Sequence, residues 1–290
     1  MQVIRLPSEP YPSETVTALG FFDGVHIAHA ALLSHTVSVA REKGLISAVF
    51  TFLDAPHKEG ARLLSSEDRL ARMESLGIEV VFVADFASLC SLSPEAFVSE
   101  VLCGMCSARM AICGFNFRFG KEARGDGALL SRLLPESIIL PPILKDGETV
   151  SATRIKALLT EGRVEEAAHL LGSPYTVRAE VLHGKALGRT LGFPTANMRP
   201  AELLPQNGVY ETRVYLDGAC YIGLTDVGTR PSAEAEGERR METYLPHFSG
   251  DLYGKELAVA FLRRIRGERH FASIDALKAQ LLKDLNEIKI

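Results

Sequence analysis

Two histidines three apart follow a glycine–aspartate turn in Gly20-Phe21-Phe22-Asp23-Gly24-Val25-His26-Ile27-Ala28-His29. An apolar run, residues 16–19, leads into the turn and a helix-like pattern leaves it. Backbone N–H groups are free at such a strand–turn–helix junction, and the helix dipole favours negative charge, so anionic ligands gather there. His26 and His29 should lie on one face of the first helical turn, two donors aimed at one place. On spacing alone, a tight turn with two surface histidines reads equally well.

Three more stretches of the first half carry candidate chemistry. Thr51-Phe52-Leu53-Asp54-Ala55-Pro56-His57 and Gly114-Phe115-Asn116-Phe117-Arg118-Phe119-Gly120 each follow an apolar run, where open α/β sheets bind ligands. Val150-Ser151-Ala152-Thr153-Arg154-Ile155 opens a helix with hydroxyls and an arginine, which suits phosphate. Neither G-x-G-x-x-G nor G-x-x-x-x-G-K-[ST] occurs, which disfavours a dinucleotide fingerprint and a P-loop. An H-x-x-H pair with a distant Ser/Thr-Arg helix start fits nucleotidylyl transfer instead. That in-line attack on an α-phosphorus needs positioning and charge stabilisation more than a protein nucleophile.

In the second half, His183-Gly184-Lys185-Ala186-Leu187-Gly188-Arg189-Thr190-Leu191-Gly192-Phe193-Pro194-Thr195-Ala196-Asn197 is glycine-rich and twice basic. Glycines let a backbone approach a phosphate chain, and Lys185 and Arg189 can balance its charge. Thr195 and Asn197, two apart in an extended segment, point the same way and can reach one Mg²⁺. Glu242, in Met241-Glu242-Thr243-Tyr244, is a carboxylate that could accept a hydroxyl proton during phosphoryl transfer. A mobile hairpin and a solvent-facing glutamate are the plain alternatives.

The elements that must hold these groups follow two grammars. Residues 15–160 alternate apolar runs (16–22, 46–52, 80–84, 110–113 and 138–140) with helical patterns (26–43, 66–76, 94–102 and 127–134). This predicts a mostly parallel α/β sheet covered on both faces. Ser93-Pro94 should open its helix as N-cap and first helical residue. A helical stretch, 151–171, is broken at Glu161-Gly162 and stops at Gly172, which predicts domains at 1–172 and 173–290. After it come β-rich runs at 175–182, 208–216, 221–227, 241–245 and 257–262, an antiparallel barrel or sandwich with an Asp217-Gly218 hairpin turn. A last helix, capped by Ser273, should present Ile274, Leu277, Leu281, Leu282, Leu285 and Ile288 as one apolar stripe.

At 290 residues, with 47% hydrophobic and 23% charged residues, the chain can fill two domains of ~100–200 residues each. A net charge of −4 speaks against nucleic acid as partner. No signal-peptide pattern and no apolar run of ~20 residues occurs, so no membrane association is expected. Five cysteines, an odd number, fit reduced thiols in the cytoplasm, with Cys103-Gly104-Met105-Cys106 read as buried thiols. Small molecules are the expected partners, and nothing in the sequence fixes the number of copies that assemble.

Gly20–His29 resembles the G-x-F-D-G-V-H-x-G-H stretch of the prokaryotic bifunctional riboflavin kinase/FAD synthetase family. Val150–Ile155 resembles that family's I-S-S-T-R-I motif, and 114–120 its G-x-[DN]-F-x-F-G segment. The second half is similar to its riboflavin kinase domain in four places: G-x-x-x-G-R-x-L-G-F-P-T-A-N at 184–197, Gly228-Thr229-Arg230-Pro231-Ser232, Glu242, and Asp251-Leu252-Tyr253-Gly254-Lys255. The motifs run in family order from 20 to 271. The resemblance implies a Rossmann-like nucleotidylyltransferase domain followed by a barrel with a terminal helix. It implies that riboflavin is phosphorylated to FMN with Mg·ATP, and that FMN is adenylylated to FAD with loss of pyrophosphate. By it Gly20, Phe22, Asp23, Gly24, His26 and His29 line the ATP site of adenylyl transfer, and Ser151, Thr153 and Arg154 hold the triphosphate. Asn116 sits on the flavin side. Gly184, Lys185, Gly188 and Arg189 cover the kinase phosphates, Thr195 and Asn197 bind magnesium, Glu242 is the base, and Arg266 and Glu268 lie near the flavin edge. The chain departs from the family pattern at Ala28 (glycine), Ala152 (serine), the shifted 54–57 segment, and Ser232-Ala233 (Thr-Phe). Those departures leave open a chain with only the kinase live, or a flavin-binding module without turnover.

Overall fold

The computed structural model describes the chain apart from residues 7–8, 54–60, 184–192, 233–234 and 289–290. Its contacts define two compact units: Met1–Gly60 with Ser66–Ser151, and Ala61–Ser65 with Ala152–Ile290.

The first unit runs β1 (Gln2–Arg5), β2 (Thr15–Leu19), α1 (Ile27–Lys43), β3 (Ile46–Phe52), α2 (Ser66–Ser75), β4 (Val80–Ala84), α3 (Phe86–Leu89), α4 (Pro94–Ala96), β5 (Ala108–Gly114), α5 (Gly127–Leu133) and β6 (Ile138–Leu140). A two-residue-per-strand hairpin, β7 (Leu144–Lys145) and β8 (Glu148–Thr149), follows. The sheet order is β1-β4-β3-β2-β5-β6, and every neighbouring pair is parallel. All five residues of β2 are buried, as a strand covered on both faces requires. From β2 the order runs one way to β3 and β4 and the other way to β5 and β6. The carboxyl ends of β2 and β5 therefore flank the switch point where open α/β sheets leave a crevice.

Ser93 caps α4 through the Ala96 N–H at 3.1 Å. The helix continues as a π-helical segment, Phe97–Met105, that buries Phe97, Val98, Val101 and Leu102. Cys106 is fully buried, but Cys103 is exposed, so only one of the two thiols is buried as expected. The edge strand β1 was not anticipated: it has four residues, none of them buried, and hence no apolar run to mark it.

The second unit runs α6 (Ala152–Thr160), α7 (Val164–Leu171), β9 (Tyr175–Leu182), β10 (Thr195–Met198), β11 (Gly208–Leu216), β12 (Ala219–Ser232), β13 (Ala235–Tyr244), β14 (Glu256–Gly267) and α8 (Ile274–Glu287). Six strands close into a barrel in the order β10-β13-β12-β11-β14-β9, completed by antiparallel pairing of β9 with β10. Asp217 and Gly218, both at positive φ, turn β11 into β12. Strands β12, β13 and β14 outrun the apolar windows seen in sequence, because ladder hydrogen bonds continue where side chains turn polar. The interior takes Tyr210, Thr212, Val214, Thr225, Met241 and Thr243, all nearly or fully buried, and the three threonine hydroxyls bond one another at 2.8 and 2.9 Å.

Ser273 caps α8 as expected, through the Ala276 N–H at 3.1 Å. Its apolar stripe is narrower than the sequence suggested. Leu281, Leu285 and Ile288 pack towards Val209 and Leu224, whereas Ile274 and Leu282 remain 60% and 51% exposed. Leu282 lies one residue, about 100° of helical rotation, off that seam.

Candidate active sites

In the first unit the chain leaves β2 through Gly20, where a Cβ would sit 3.0 Å from the Phe22 ring. Phe22 adopts a left-handed conformation (φ 55°, ψ 35°) and is 1% exposed; Gly24 (φ 81°) and Val25 (φ 38°) also have positive φ. A β-branched residue at positive φ is a true outlier, and such strain persists only where the surroundings over-determine it. Asp23 is buried within the turn.

His26 does not join His29 on a face of the helix. It precedes α1 as the N-cap, in extended conformation, and its Nδ1 accepts the His29 N–H at 3.3 Å. The pair meets by stacking instead, with ring centroids 3.6 Å apart and planes 15° apart, and the Phe22 ring abuts His29 edge-on at 5.2 Å. Burial pushes the His26 imidazole down to about 4, against an opposing pull from Asp23. The ring is therefore neutral at pH 7. With Nδ1 accepting, its proton resides on Nε2, which leaves a neutral donor.

Across the switch point, β5 ends at Gly114 and turns back through the Phe117 N–H to the Gly114 carbonyl at 3.0 Å, with Asn116 exposed. The segment is anchored at Gly120, whose φ of +70° and a Cβ clash of 2.7 Å with Pro94 N admit only glycine. Ser151 closes the first unit. Thr153 and Arg154 stand in the first turn of α6, in the second unit, Thr153 exposed and Arg154 half-buried. Of Thr51–His57, residues 54–57 lie outside the described residues.

The sequence reading missed two arginines of α2. Arg69 is 2% exposed and donates to the carbonyls of Phe21 (2.7 Å), Phe52 (2.9 Å) and Leu53 (3.3 Å). Arg72, one turn on, donates to the Gly24 carbonyl at 3.4 Å. The available signal was helical spacing: Arg69 falls four residues before the fully buried Met73, inside the apolar stripe.

In the second unit, Asn197 of β10 lies directly opposite Glu242 of β13, with Thr195 opposite Tyr244. The Thr195 hydroxyl is 3.4 Å from Glu242 Oε2, and the Asn197 amide donates to the Thr195 carbonyl at 3.4 Å. These side chains alternate with the interior residues Ala196, Met198, Met241 and Thr243, so they stand on the outer wall of the barrel. On the far side of Glu242, Asp226 of β12 is its cross-strand neighbour. Although Asp226 keeps an exposed surface, desolvation of its carboxyl, then the charges of Glu242 and Glu268, push it up to about 6. Hard oxygen donors from three strands converge here, a set suited to Mg²⁺. Gly184, Lys185, Gly188 and Arg189 lie outside the described residues, as does Ala233.

Arg266 is clamped by α8. Its Nε and Nη2 donate to the Asp284 carboxylate at 2.9 and 2.8 Å, Gln280 adds a bond at 2.8 Å, and Asp284 is fully buried.

A parallel-sheet unit with a histidine-capped turn at its switch point, followed by a barrel with an oxygen-lined wall, has the layout of a two-part nucleotide-dependent transferase. The FAD synthetase family model matches residues 8–154, and the riboflavin kinase family model matches 171–290. The chain is 35% identical over 282 residues to the bifunctional riboflavin kinase/FMN adenylyltransferase of Listeria monocytogenes, covering 93% of this chain and 90% of that protein. It is 33% identical to the Bacillus subtilis protein of the same name, over 95% of this chain and 92% of the other. The chain belongs to the bifunctional riboflavin kinase/FMN adenylyltransferase family and carries both of its enzyme domains. A solved structure from Streptococcus pneumoniae, described as a macrolide-efflux protein, shares the fold at 30% identity, with a TM-score of 0.91 over 99% of this chain and 98% of that one. Among the described residues of this chain, no helix is long and apolar enough to cross a membrane.

Proposed function

We propose that both halves of the chain are live in the cytoplasm. The barrel phosphorylates riboflavin to FMN, and the α/β unit adenylylates FMN to FAD. Riboflavin, FMN, FAD and ATP fit this family as substrates and products. The observation that carries the kinase reading is the pairing of Asn197 with Glu242 and the 3.4 Å approach of the Thr195 hydroxyl to the same carboxylate. Glu242 takes the proton of the ribityl 5′-hydroxyl as that oxygen attacks the γ-phosphorus in line and ADP leaves. Thr195 and Asn197 would hold Mg²⁺, which in the bound state offsets phosphate charge. Lys185 and Arg189, with Gly184 and Gly188, cover the phosphates in this reading, and Arg266 orders the flavin edge through α8.

In the α/β unit the FMN phosphate attacks the α-phosphorus of ATP, and pyrophosphate leaves. Gly20, Phe22, Asp23 and Gly24 shape the turn that receives the nucleotide. His26 donates from Nε2 as a neutral group, and His29 stacks behind it. The motif likeness at Val150–Ile155 supports Ser151, Thr153 and Arg154 as the groups that hold the departing pyrophosphate, and the likeness at 114–120 supports Asn116 as the flavin contact.

Incubating the protein with riboflavin, Mg²⁺ and ATP and resolving the three flavins over time tests both steps. FMN that never proceeds to FAD removes the adenylyltransferase, and unchanged riboflavin removes the kinase. Glu242→Gln is expected to abolish FMN formation while added FMN is still converted to FAD. Loss of both activities together would defeat the assignment of separate sites.

A further inference from the structure

We propose that Arg69 is a positioning residue for adenylyl transfer: its guanidinium ties the turn after β2 to the end of β3 and so presets the nucleotide-binding turn. The proposal rests on reading the first unit as the adenylyltransferase.

The turn is strained, with Phe22, Gly24 and Val25 all at positive φ. Something must hold it when no nucleotide is present. Arg69 does so from beneath. One arm of the fork bonds the Phe21 carbonyl at 2.7 Å, and the other bonds Phe52 and Leu53 at 2.9 and 3.3 Å. The guanidinium also lies 4.7 Å over the Phe21 ring. Phe21 is thereby gripped by carbonyl and ring at once. Thr51, buried in β3, donates to the same carbonyl at 3.3 Å. A buried guanidinium is an expensive way to fill space, since an apolar side chain would pack there at less desolvation cost. What it adds is geometry: a planar fork reaches two strand ends simultaneously, and a lysine ammonium cannot. It also brings a fixed positive charge behind a turn whose capping histidine is neutral.

The test is Arg69→Lys in the full-length chain, with FMN-to-FAD and riboflavin-to-FMN rates measured on one preparation. A turn displaced by a fraction of an ångström should raise the KM for ATP in adenylylation roughly tenfold or more. The kinase constants, which belong to the other unit, should not move. A merely structural role would lower the active fraction, and thus kcat, without moving KM. If the lysine variant does not fold in the first unit, Thr51→Val removes a second anchor of the same carbonyl and should raise the same KM by a smaller factor. An unchanged KM for ATP in a folded Arg69→Lys chain, or in Thr51→Val, overturns the proposal. A wild-type chain that makes no FAD from FMN overturns the reading of the unit and the proposal with it.

Discussion

His26 cannot behave as an ordinary surface imidazole, because its Nδ1 caps α1 and its ring is buried beneath His29. The folded state keeps it neutral down to about pH 4, whereas an unfolded histidine protonates near 6.5. Its contribution to stability is therefore fully present above pH 6.5 and is lost as pH falls towards 4, where the unfolded chain binds a proton that the folded one resists. His26→Asn retains a capping oxygen and removes Nε2. The variant should melt like wild type at pH 7, lose less stability between pH 6.5 and 4, and make FAD from FMN roughly a hundredfold more slowly. Melting curves across that range, with FAD assays at pH 7, check all three. Asp226 carries the opposite sign. Its raised carboxyl favours the fold only at low pH, and the contribution disappears as pH rises through about 6. Asp226→Asn should raise the melting temperature of the second unit at pH 8, a gain that fades towards pH 4. The turn glycines and both histidines were legible in the sequence as a motif. The stacking was not, because His26 sits one residue outside the helix that spacing alone would place it in.

At the scale of elements, five of the six strands of the parallel sheet were readable because each is a short apolar run closed by a turn; the edge strand β1 has no such run. Strict alternation likewise placed Thr195 and Asn197 on one side of β10. Arg69 was not read, since Glu67-Asp68-Arg69 looks like the polar flank of a surface helix. Which flank of α2 faces inward is decided by the strand ends it packs against, not by its composition. The pairing of Arg266 with α8 was equally hidden, for its partner Asp284 reads as a solvent-facing residue among Lys283 and Asn286. In the fold that carboxylate is wholly buried beside a guanidinium whose side chain is 10% exposed. Removing one member of such a pair strands the other. Asp284→Ala should therefore cost the second unit about 3–5 kcal/mol in denaturant unfolding. It should also loosen α8 from β11, β12 and β14, against which it packs through Val209, Leu224 and Arg266.

At the scale of the whole molecule, two grammars in one sequence became two units, one open and parallel, the other closed and antiparallel. Helices α6 and α7 keep company with the barrel: α7 touches β9 and β14, and the Gln206 N–H reaches the Leu159 carbonyl at 2.8 Å. A fragment of residues 152–290 should accordingly melt at a higher temperature than one of 173–290, as calorimetry on the two can show. Residues 61–65 complicate even that cut. They belong to the second unit although the chain on both sides of them belongs to the first. Leu63 and Leu64 are buried there, and the Arg62 carbonyl accepts the Leu203 N–H at 2.9 Å. The polypeptide thus passes between the units after Gly60, after Ser65 and again after Ser151. For a lineage carrying such a chain, the two enzymes are not beads on a string. A single break in the gene, at whatever codon, leaves one descendant short of a piece that the other retains.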